Sequence, residues 1–580
     1  MRATARGLRS SGWVAIVLLV ALGAVAVAGT ASDYGQSWDE PYFYDYADAV
    51  PYAYSLASRL KPGFDLERAY GPSATDHKVY GPAYLLLARP VVVGLQHLTN
   101  SDRASAWHAA NALTFLVSVV LLFWLMRRWL SPWAAVAGSA LYALQPMLWG
   151  HAFINPKDIP FLAFFLGSVA LGLRMIDRLC ESQAWLGPTD ARARTEVANP
   201  GGRRLPANTK LRRWIGEHAP WLEPLPSLPS LLPPRPRMGA EIRAALLPGV
   251  ILGLASCLRV LGPAAGLLVL LSFFLQSRRR SMLGISLYLL IAVLMTYLTW
   301  PYLWESPINR FWEVVQRSAQ NPTTLAVLFQ GGLYHSDTLP RIYFPLLLSV
   351  TLTEPVLWMA FAGMVVGGAW IVRGKIDWRT FVVIPVWFLA FLAYIVLVKP
   401  PMYDGIRHFL FILPPLFVFA GVAFEGAFAV IRSAWVRAII LSAVLLPGIY
   451  GILETHPYEY AYFNQFVGRL PGAFRQFETD YWLTCYKDAV GRLNDSVEGP
   501  ATLYVFREPH IAEDYAAPRI RVRELDPEQF APTAGDFLLL SSRTNEDRYF
   551  ATQPAVIVVG KRGATFCVIR QIAETEPPTE

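Results

Sequence analysis

The sequence predicts an all-α polytopic membrane protein carrying a small C-terminal α/β domain. Three observations predict it. First, 54% of the 580 residues are hydrophobic, only 16% are charged, and the mean hydropathy is +0.34; ordinary soluble domains are about 25% charged. Second, long apolar runs recur between residues 13 and 453, most of them near the ~20 residues that cross a bilayer core. Third, short β-type runs replace them after residue 454. The 19 Trp and 26 Tyr suit interfacial belts. The formal charge of +8 is accounted for by cytoplasmic loops, so no nucleic-acid partner is expected.

Arg2, Arg6 and Arg9 precede the first apolar run, Trp13 to Ala28. Its length favours an uncleaved anchor over a signal peptide, and either reading puts the N-terminus inside. Residues 30–103 then form a long outer loop rich in Tyr and Pro. Its apolar piece, Ala83 to Leu98, holds Arg89 and Pro90 and reads as a helix on or dipping into the surface; a true span is the other reading. Further spans are expected at 105–126, 133–150, 159–177, 243–258, 261–276, 282–300, 344–371, 379–398, 407–430 and 437–453, about eleven in all.

The basic clusters Arg127-Arg128, Arg174 to Arg243, Arg278 to Arg280, Arg373-Gly374-Lys375, and Arg432 with Arg437 then fall on one side, as the positive-inside bias requires. An odd number of spans puts the C-terminal region on the far side with Asp39. Residues 180–240, with Pro226, Pro229, Pro233, Pro234 and Pro236, read as a disordered cytoplasmic insert. The chain is thus divided into a membrane domain, 1–453, with a second outer loop at 301–343, and an extracytoplasmic α/β domain, 454–580. Strands are expected at Thr502 to Phe506, Ile520 to Arg523, Phe537 to Leu540, Ala555 to Val559 and Thr565 to Ile569. Cys180, Cys257, Cys485 and Cys567 are too few for a disulfide framework or a zinc site. Cys485 and Cys567 either pair in the outer domain or stay free thiols.

The chemistry gathers at the outer ends of the spans. In Ser37-Trp38-Asp39-Glu40-Pro41 two adjacent carboxylates stand among aromatic residues. Such a setting raises a carboxylate's pKa by desolvation and makes a better base; a solvated acidic pair is the plain alternative. Lys78, in His77-Lys78-Val79-Tyr80-Gly81-Pro82, is either a phosphate ligand or a snorkelling interfacial lysine. The turn from His151 to Pro160 packs Asn155, Lys157 and Asp158 into few residues. Asp158 there offers a second carboxylate, while Asn155 or Asp158 also suits a helix cap. Arg259 interrupts an apolar stretch, where a charge costs about 2.5–3.5 kcal/mol at the bilayer centre, so it is a phosphate candidate unless it snorkels. Arg407 and His408 open a span as a second cation and a donor. The aromatics of 301–343 seat a sugar ring, a polyprenyl tail or the interface. Glu354, inside a span before Pro355, is either satisfied by a neighbouring helix or reaches the cavity.

An early span, the Asp39-Glu40 loop, the Lys78-x-x-Gly81-Pro82 stretch, the Asn155-Pro156-Lys157-Asp158 turn and Arg407-His408-Phe409 together resemble the GT-C membrane glycosyltransferases. The nearest branch is the bacterial one akin to protein O-mannosyltransferases and lipid A aminoarabinose transferases. The resemblance covers residues 10 to 450 and leaves the C-terminal part aside. It implies a GT-C-like fold in a bacterial cytoplasmic (inner) membrane. It also implies an inverting sugar transfer on the extracytoplasmic face, from a polyprenyl-phosphate-linked donor to a lipid, glycan or protein acceptor. Asp39 would be the base, with Glu40 and Asp158 orienting or assisting it. Lys78, Lys157, Arg259 and Arg407 would hold the donor phosphate, and Tyr80, His151 and His408 would touch substrate. Lys78 departs from the pattern, because relatives tend to have Lys-Pro-Pro where this chain has Lys-Val-Tyr-Gly-Pro. No metal site and no cofactor is expected, since His, Cys and acidic residues nowhere show ligand spacing. A transporter or flippase of lipid-linked sugars is the alternative; such proteins place polar groups near the midplane, often in two repeated halves, and only Glu354 favours it.

Overall fold

The computed structural model describes residues 2–72, 77–184, 238–276, 282–320, 324–526 and 533–573. The prolines of the expected insert, Pro226 to Pro236, lie outside these residues.

The chain begins with the long apolar helix α1, Arg2–Thr30, followed by the short α2, Glu40–Ala49, in the first loop. Helix α3, Ala83–Thr99, runs unbroken through Pro90, and α4, Arg103–Met126, returns from it. The expected span 133–150 is instead two helices, α5, Pro132–Ala143, and α6, Pro146–Ile154. Pro146 explains the break: it lacks an N–H and drives Gln145 into the extended region (ψ 115°). Next come α7, Asp158–Ala184; α8, Met238–Leu258; α9, Pro263–Gln276; and α10, Met282–Thr299. After the amphipathic α11, Pro307–Gln320, the strands β1, Ala326–Phe329, and β2, Gly332–His335, make a hairpin. Its turn residues Gln330 and Gly331 both have positive φ, as a tight two-residue hairpin demands.

The expected span 344–371 is likewise split, into α12, Tyr343–Thr351, and α13, Glu354–Val372, ahead of Pro355. Helix α14 covers Val383–Val398. A 3-10 turn, Arg407–Ile412, precedes α15, Pro414–Val430, so the expected span 407–430 becomes α-helical only at Pro414. Helix α16 is Ala434–Thr455.

Among the described residues, seven helices are long and apolar enough to cross a membrane: α1, α4, α7, α8, α10, α13 and α16. Three more, α9, α14 and α15, are apolar but shorter. Broad apolar faces point outward, such as Val14, Val17, Leu18, Leu22 and Val25 on α1 and Leu290, Val293 and Leu294 on α10. Apolar surface of that extent is stable only against lipid, so the chain is a multi-pass membrane protein.

After α16 the chain forms a five-stranded mixed sheet. Its strands are β3, Ala501–Val505; β4, Ile520–Glu524; β5, Phe537–Ser541; β6, Ala555–Lys561; and β7, Ala564–Gln571, in the order β4-β3-β5-β7-β6. Each expected strand is present within two residues of its expected ends. Strand β3 pairs in parallel with β4 and β5, and β7 pairs antiparallel with β5 and β6. Helices α17, Tyr486–Ser496, and α18, Pro509–Tyr515, pack on this sheet. Cys485 and Cys567 are joined, tying the start of α17 to β7.

The segment between α16 and the sheet is bonded to the helix bundle. Asn464 donates its side-chain amide to the Ser349 and Leu352 carbonyls at 2.7 and 2.8 Å. Glu354 accepts from the Gln465 backbone N–H at 2.9 Å, which gives this carboxylate a partner at a helix end.

Candidate active site

The site grows from the turn between α6 and α7. Asn155 Oδ1 accepts from the backbone N–H groups of Lys157 and Asp158, at 3.3 and 2.9 Å. It thereby satisfies donors that a helix start leaves open. Its amide donates to Asp158 Oδ2 at 2.8 Å. With the cap supplied by Asn155, both carboxylate oxygens of Asp158 turn inward, and only 2% of that side chain is exposed. Arg259, just past the end of α8, pairs with Oδ1. Arg407 pairs with Oδ2 at 3.4 Å.

Asp39 arrives from the first loop. It occupies the N-cap position of α2 but makes no capping bond, and Pro41 opens the helix with a preset φ. The free carboxylate faces Lys157 Nζ at 2.6 Å and Arg407 Nη1 at 3.8 Å. Asp39 retains 19% exposure, so one side of it is open to an incoming group. Asp39, Asp158, Lys157, Arg259 and Arg407 therefore form one ion cluster at the helix ends.

The electrostatics of Asp39 differ from the expectation. Burial raises its pKa, but Lys157 and then Arg407 outweigh burial and hold the carboxyl below its ordinary value. Lys157 is the mirror case: burial lowers it, and Asp39 reverses the effect and holds the ammonium above its usual range. An aromatic setting alone would have made Asp39 more basic; a contact ion pair at 2.6 Å wins over desolvation.

Of the remaining expected residues, some join this cluster and some do not. Tyr80 lies beside it, with Lys157 Nζ 5.3 Å from its ring centre. His408 follows Arg407 and packs edge-on against Tyr403 at 4.8 Å. His151 sits behind the turn, 3.0 Å from the Tyr481 hydroxyl. It contacts Asn155 at 3.4 Å.

Glu40 goes elsewhere. Its carboxylate accepts from the Ser37 N–H at 2.6 Å and the Tyr44 hydroxyl at 2.5 Å, and stands 3.1 Å from His108 Nε2. It is fully buried and folds the loop rather than facing the cluster.

Lys78 also stands apart, paired with the exposed Glu67 at 3.0 Å and near the rings of Tyr70 and Tyr302. Its motif serves close packing: the Gly81 N–H donates to the Cys257 carbonyl at 3.0 Å. A Cβ on Gly81 would fall 2.2 Å from Cys257 Sγ, so only glycine lets this loop dock two residues before Arg259. The lysine that meets the acids is Lys157.

Several participants were not anticipated. Asp404, fully buried at φ +56°, accepts from Arg407 Nε and Nη2 at 3.0 and 2.8 Å. Trp482 lies under Arg407, its ring centre 4.5 Å from the guanidinium carbon. Arg543 follows β5; its Nη2 donates to Asp404 Oδ1 at 2.6 Å, and its guanidinium covers Trp38 at 4.2 Å. One signal in the sequence reaches Arg543: ligands of α/β sheets gather beyond the carboxyl ends of parallel strands, and Arg543 sits two residues past the end of β5. Arg259 Nε and Trp38 Nε1 are buried donors without an acceptor among the described residues.

No family model and no curated protein matches the chain. Among solved structures, it is similar to the archaeal oligosaccharyltransferase AglB from Archaeoglobus fulgidus, in complex with an inhibitory peptide and a dolichol-phosphate. That match has 11% identity and a TM-score of 0.47, and covers 87% of this chain. The chain spans only 63% of the archaeal enzyme's length. It is also similar to ArnT from Cupriavidus metallidurans in the apo state, at 14% identity and a TM-score of 0.44, over 98% of this chain and 100% of that one. ArnT bound to undecaprenyl phosphate matches at 14% identity and a TM-score of 0.43, over the same shares.

Proposed function

We propose that this protein is a GT-C-type glycosyltransferase that moves a sugar from a polyprenyl-phosphate-linked donor to an acceptor hydroxyl on the extracytoplasmic face of a bacterial cytoplasmic membrane. The observation that carries this reading is the meeting of Asp39 with Lys157 and Arg407, beside Asp158 and Arg259, at one end of the bundle. In the proposed step, Asp39 takes the proton of the acceptor hydroxyl. The acceptor oxygen bonds to the sugar's anomeric carbon from the face opposite the phosphate, inverting it. The carbon–oxygen bond to phosphate breaks, and the polyprenyl phosphate leaves with the electron pair.

A low pKa makes Asp39 a weak base in isolation but keeps it ionised and oriented across a wide pH range. Arg407, Lys157 and Arg259 hold the departing phosphate, and charge stabilisation aimed at a leaving group lowers its barrier. Arg259 Nε and Trp38 Nε1 add donors for its oxygens. Each acid of the cluster is already matched by a guanidinium or ammonium group, so the reading is a metal-independent one. Asp158 acts by fixing Arg259 and Arg407.

A lipid carrier also needs a place for its tail. An apolar groove of about 550 Å³ opens between α3, α4, α7 and α8, lined by Leu87, Leu113, Phe164, Leu171 and Ile251 among others. At about 1.5 Å rise per residue, Phe164 and Leu171 lie roughly 9 and 20 Å below Asp158 along α7. The groove therefore runs at hydrocarbon depth beneath the cations. The transporter reading rested on Glu354, whose Oε1 accepts from the Gln465 backbone N–H at a helix end.

The test is Asp39→Asn, assayed in vesicles with a polyprenyl-phosphate sugar. Loss of transfer by about 10²–10⁴-fold, the usual worth of a general base, with unchanged insertion and thermal unfolding, is expected. Full transfer in that variant refutes the base assignment.

A further inference from the structure

The ion cluster gains a net positive charge only from one residue outside the helix bundle. The carboxylates Asp39, Asp158 and Asp404 face the cations Lys157, Arg259 and Arg407. Acids and cations are equal in number, so the set alone has no surplus with which to attract a phosphate. Asp404 makes this worse for Arg407, since it takes two of that residue's donors at 3.0 and 2.8 Å. Arg543 is the fourth cation. It reaches Asp404 Oδ1 at 2.6 Å from the side opposite Arg407, with only 1% of its side chain exposed.

We propose that Arg543, contributed by the C-terminal sheet region, is a positioning residue that offsets the charge of the Asp404 it shares with Arg407 and so leaves Nη1 of Arg407 to hold the donor phosphate. The sharing is geometric. Oδ2 of Asp404 serves Arg407, and Oδ1 serves Arg543. A second guanidinium on the same carboxylate offsets the negative charge that would otherwise cancel Arg407 for an approaching anion. Arg407 is then held in place by Asp404, Trp482 and Tyr403, while its Nη1 points to Asp39 and Asp158 at the longer distances of 3.8 and 3.4 Å. Those two looser contacts are the ones a phosphate replaces.

Arg543 is itself fixed by two further contacts. Trp38, the residue before Asp39, lies under its guanidinium at 4.2 Å, and the Tyr481 carbonyl accepts from its Nη1 at 3.3 Å. Glu478, 3.5 Å from Arg543 Nε, would cancel the added charge if it were ionised. Burial, with Asp404 nearby, pushes Glu478 up to about 8 in spite of Arg543, so it stays largely neutral at pH 7.

This inference rests on the proposed polyprenyl-phosphate donor, and its test separates the two. The probe is undecaprenyl phosphate, titrated against the full-length purified protein with binding read directly. The expected result is a roughly tenfold loss of affinity in Arg543→Gln, about one charge-assisted contact. Arg543→Lys should recover most of the affinity by restoring the charge. Arg523→Gln, which removes an exposed arginine of β4 in the same sheet, should bind as the parent does. Parental binding in Arg543→Gln overturns the proposal, as does an equal loss in Arg523→Gln. A lowered unfolding temperature in Arg543→Gln with unchanged affinity of the folded fraction assigns Arg543 a structural role only and also overturns it. If the parent protein fails to bind undecaprenyl phosphate, the donor reading itself falls, and this inference with it.

Discussion

Asp39 and Glu40 are neighbours in the chain and belong to two different regions of the molecule. Asp39 stands in the open ion cluster at the bundle's end, ion-paired with Lys157 and part-exposed. Glu40 stands inside the loop's own core, where a backbone N–H, a tyrosine hydroxyl and a histidine surround it. Both are carboxylates beside aromatic rings, so the difference lies in saturation. Glu40 has its acceptor capacity used by groups that belong to the fold. Asp39 has two charged partners, Lys157 and the more distant Arg407, that a substrate could displace or share. A buried acid with every oxygen occupied holds structure together; an acid paired with cations and open on one side is the one placed for chemistry.

The sharpest way to break this comparison is to remove each carboxylate in turn. Asp39→Asn is expected to lose transfer by the factor given above with little change in stability. Glu40→Ala is expected to do the reverse. Depriving two buried donors, the Ser37 N–H and the Tyr44 hydroxyl, of their acceptor should destabilise the protein by about 1–3 kcal/mol each, seen as a lower unfolding temperature, while transfer per folded molecule stays within about threefold. Equal loss of activity in both variants would erase the distinction.

Lys157 sharpens it further through pH. Lys157 and Arg407 hold the Asp39 pKa below its ordinary value, so the carboxylate stays ionised into acid, and the stability it confers is present above pH 3.8 and lost as pH falls through the lowered folded value. Lys157→Ala leaves burial less opposed, and the acid limb of the pH–rate profile should move to higher pH. An unmoved limb would show that another group sets it. The smallest effect is expected at Lys78. Its pair with Glu67 is partly exposed, with side chains 21% and 54% accessible, and such pairs contribute about 0–1 kcal/mol. Lys78→Ala should leave both transfer and donor affinity within about twofold, read in the same vesicle assay; a large loss there would return Lys78 to the phosphate site.

Much of this architecture was legible in the chain before folding was considered. Apolar runs announce lipid-facing helices because hydrocarbon leaves a backbone few other choices. The five C-terminal strands were legible for a similar local reason, β-branched and aromatic runs bounded by turn residues. Proline-linked breaks at Pro146 and ahead of Pro355 were present in the letters but outweighed by the length of the surrounding apolar runs. In the cluster, the turn at Asn155 to Asp158 was readable as both cap and acid, and it is both, because Asn155 does the capping and releases Asp158.

What composition and local pattern determined, then, is a membrane-embedded helical bundle followed by a sheet, with acids and cations at the helix ends. Which of those charges meet was decided only by tertiary structure. Asp39 and Lys157 are 118 residues apart in the chain, yet their charged atoms lie 2.6 Å apart; Arg407 and Arg543 share one carboxylate across 136 residues. The physical reason is range: backbone preference and hydrophobic period act over a few residues, whereas an ion pair is set by where distant helix and strand ends are carried by packing.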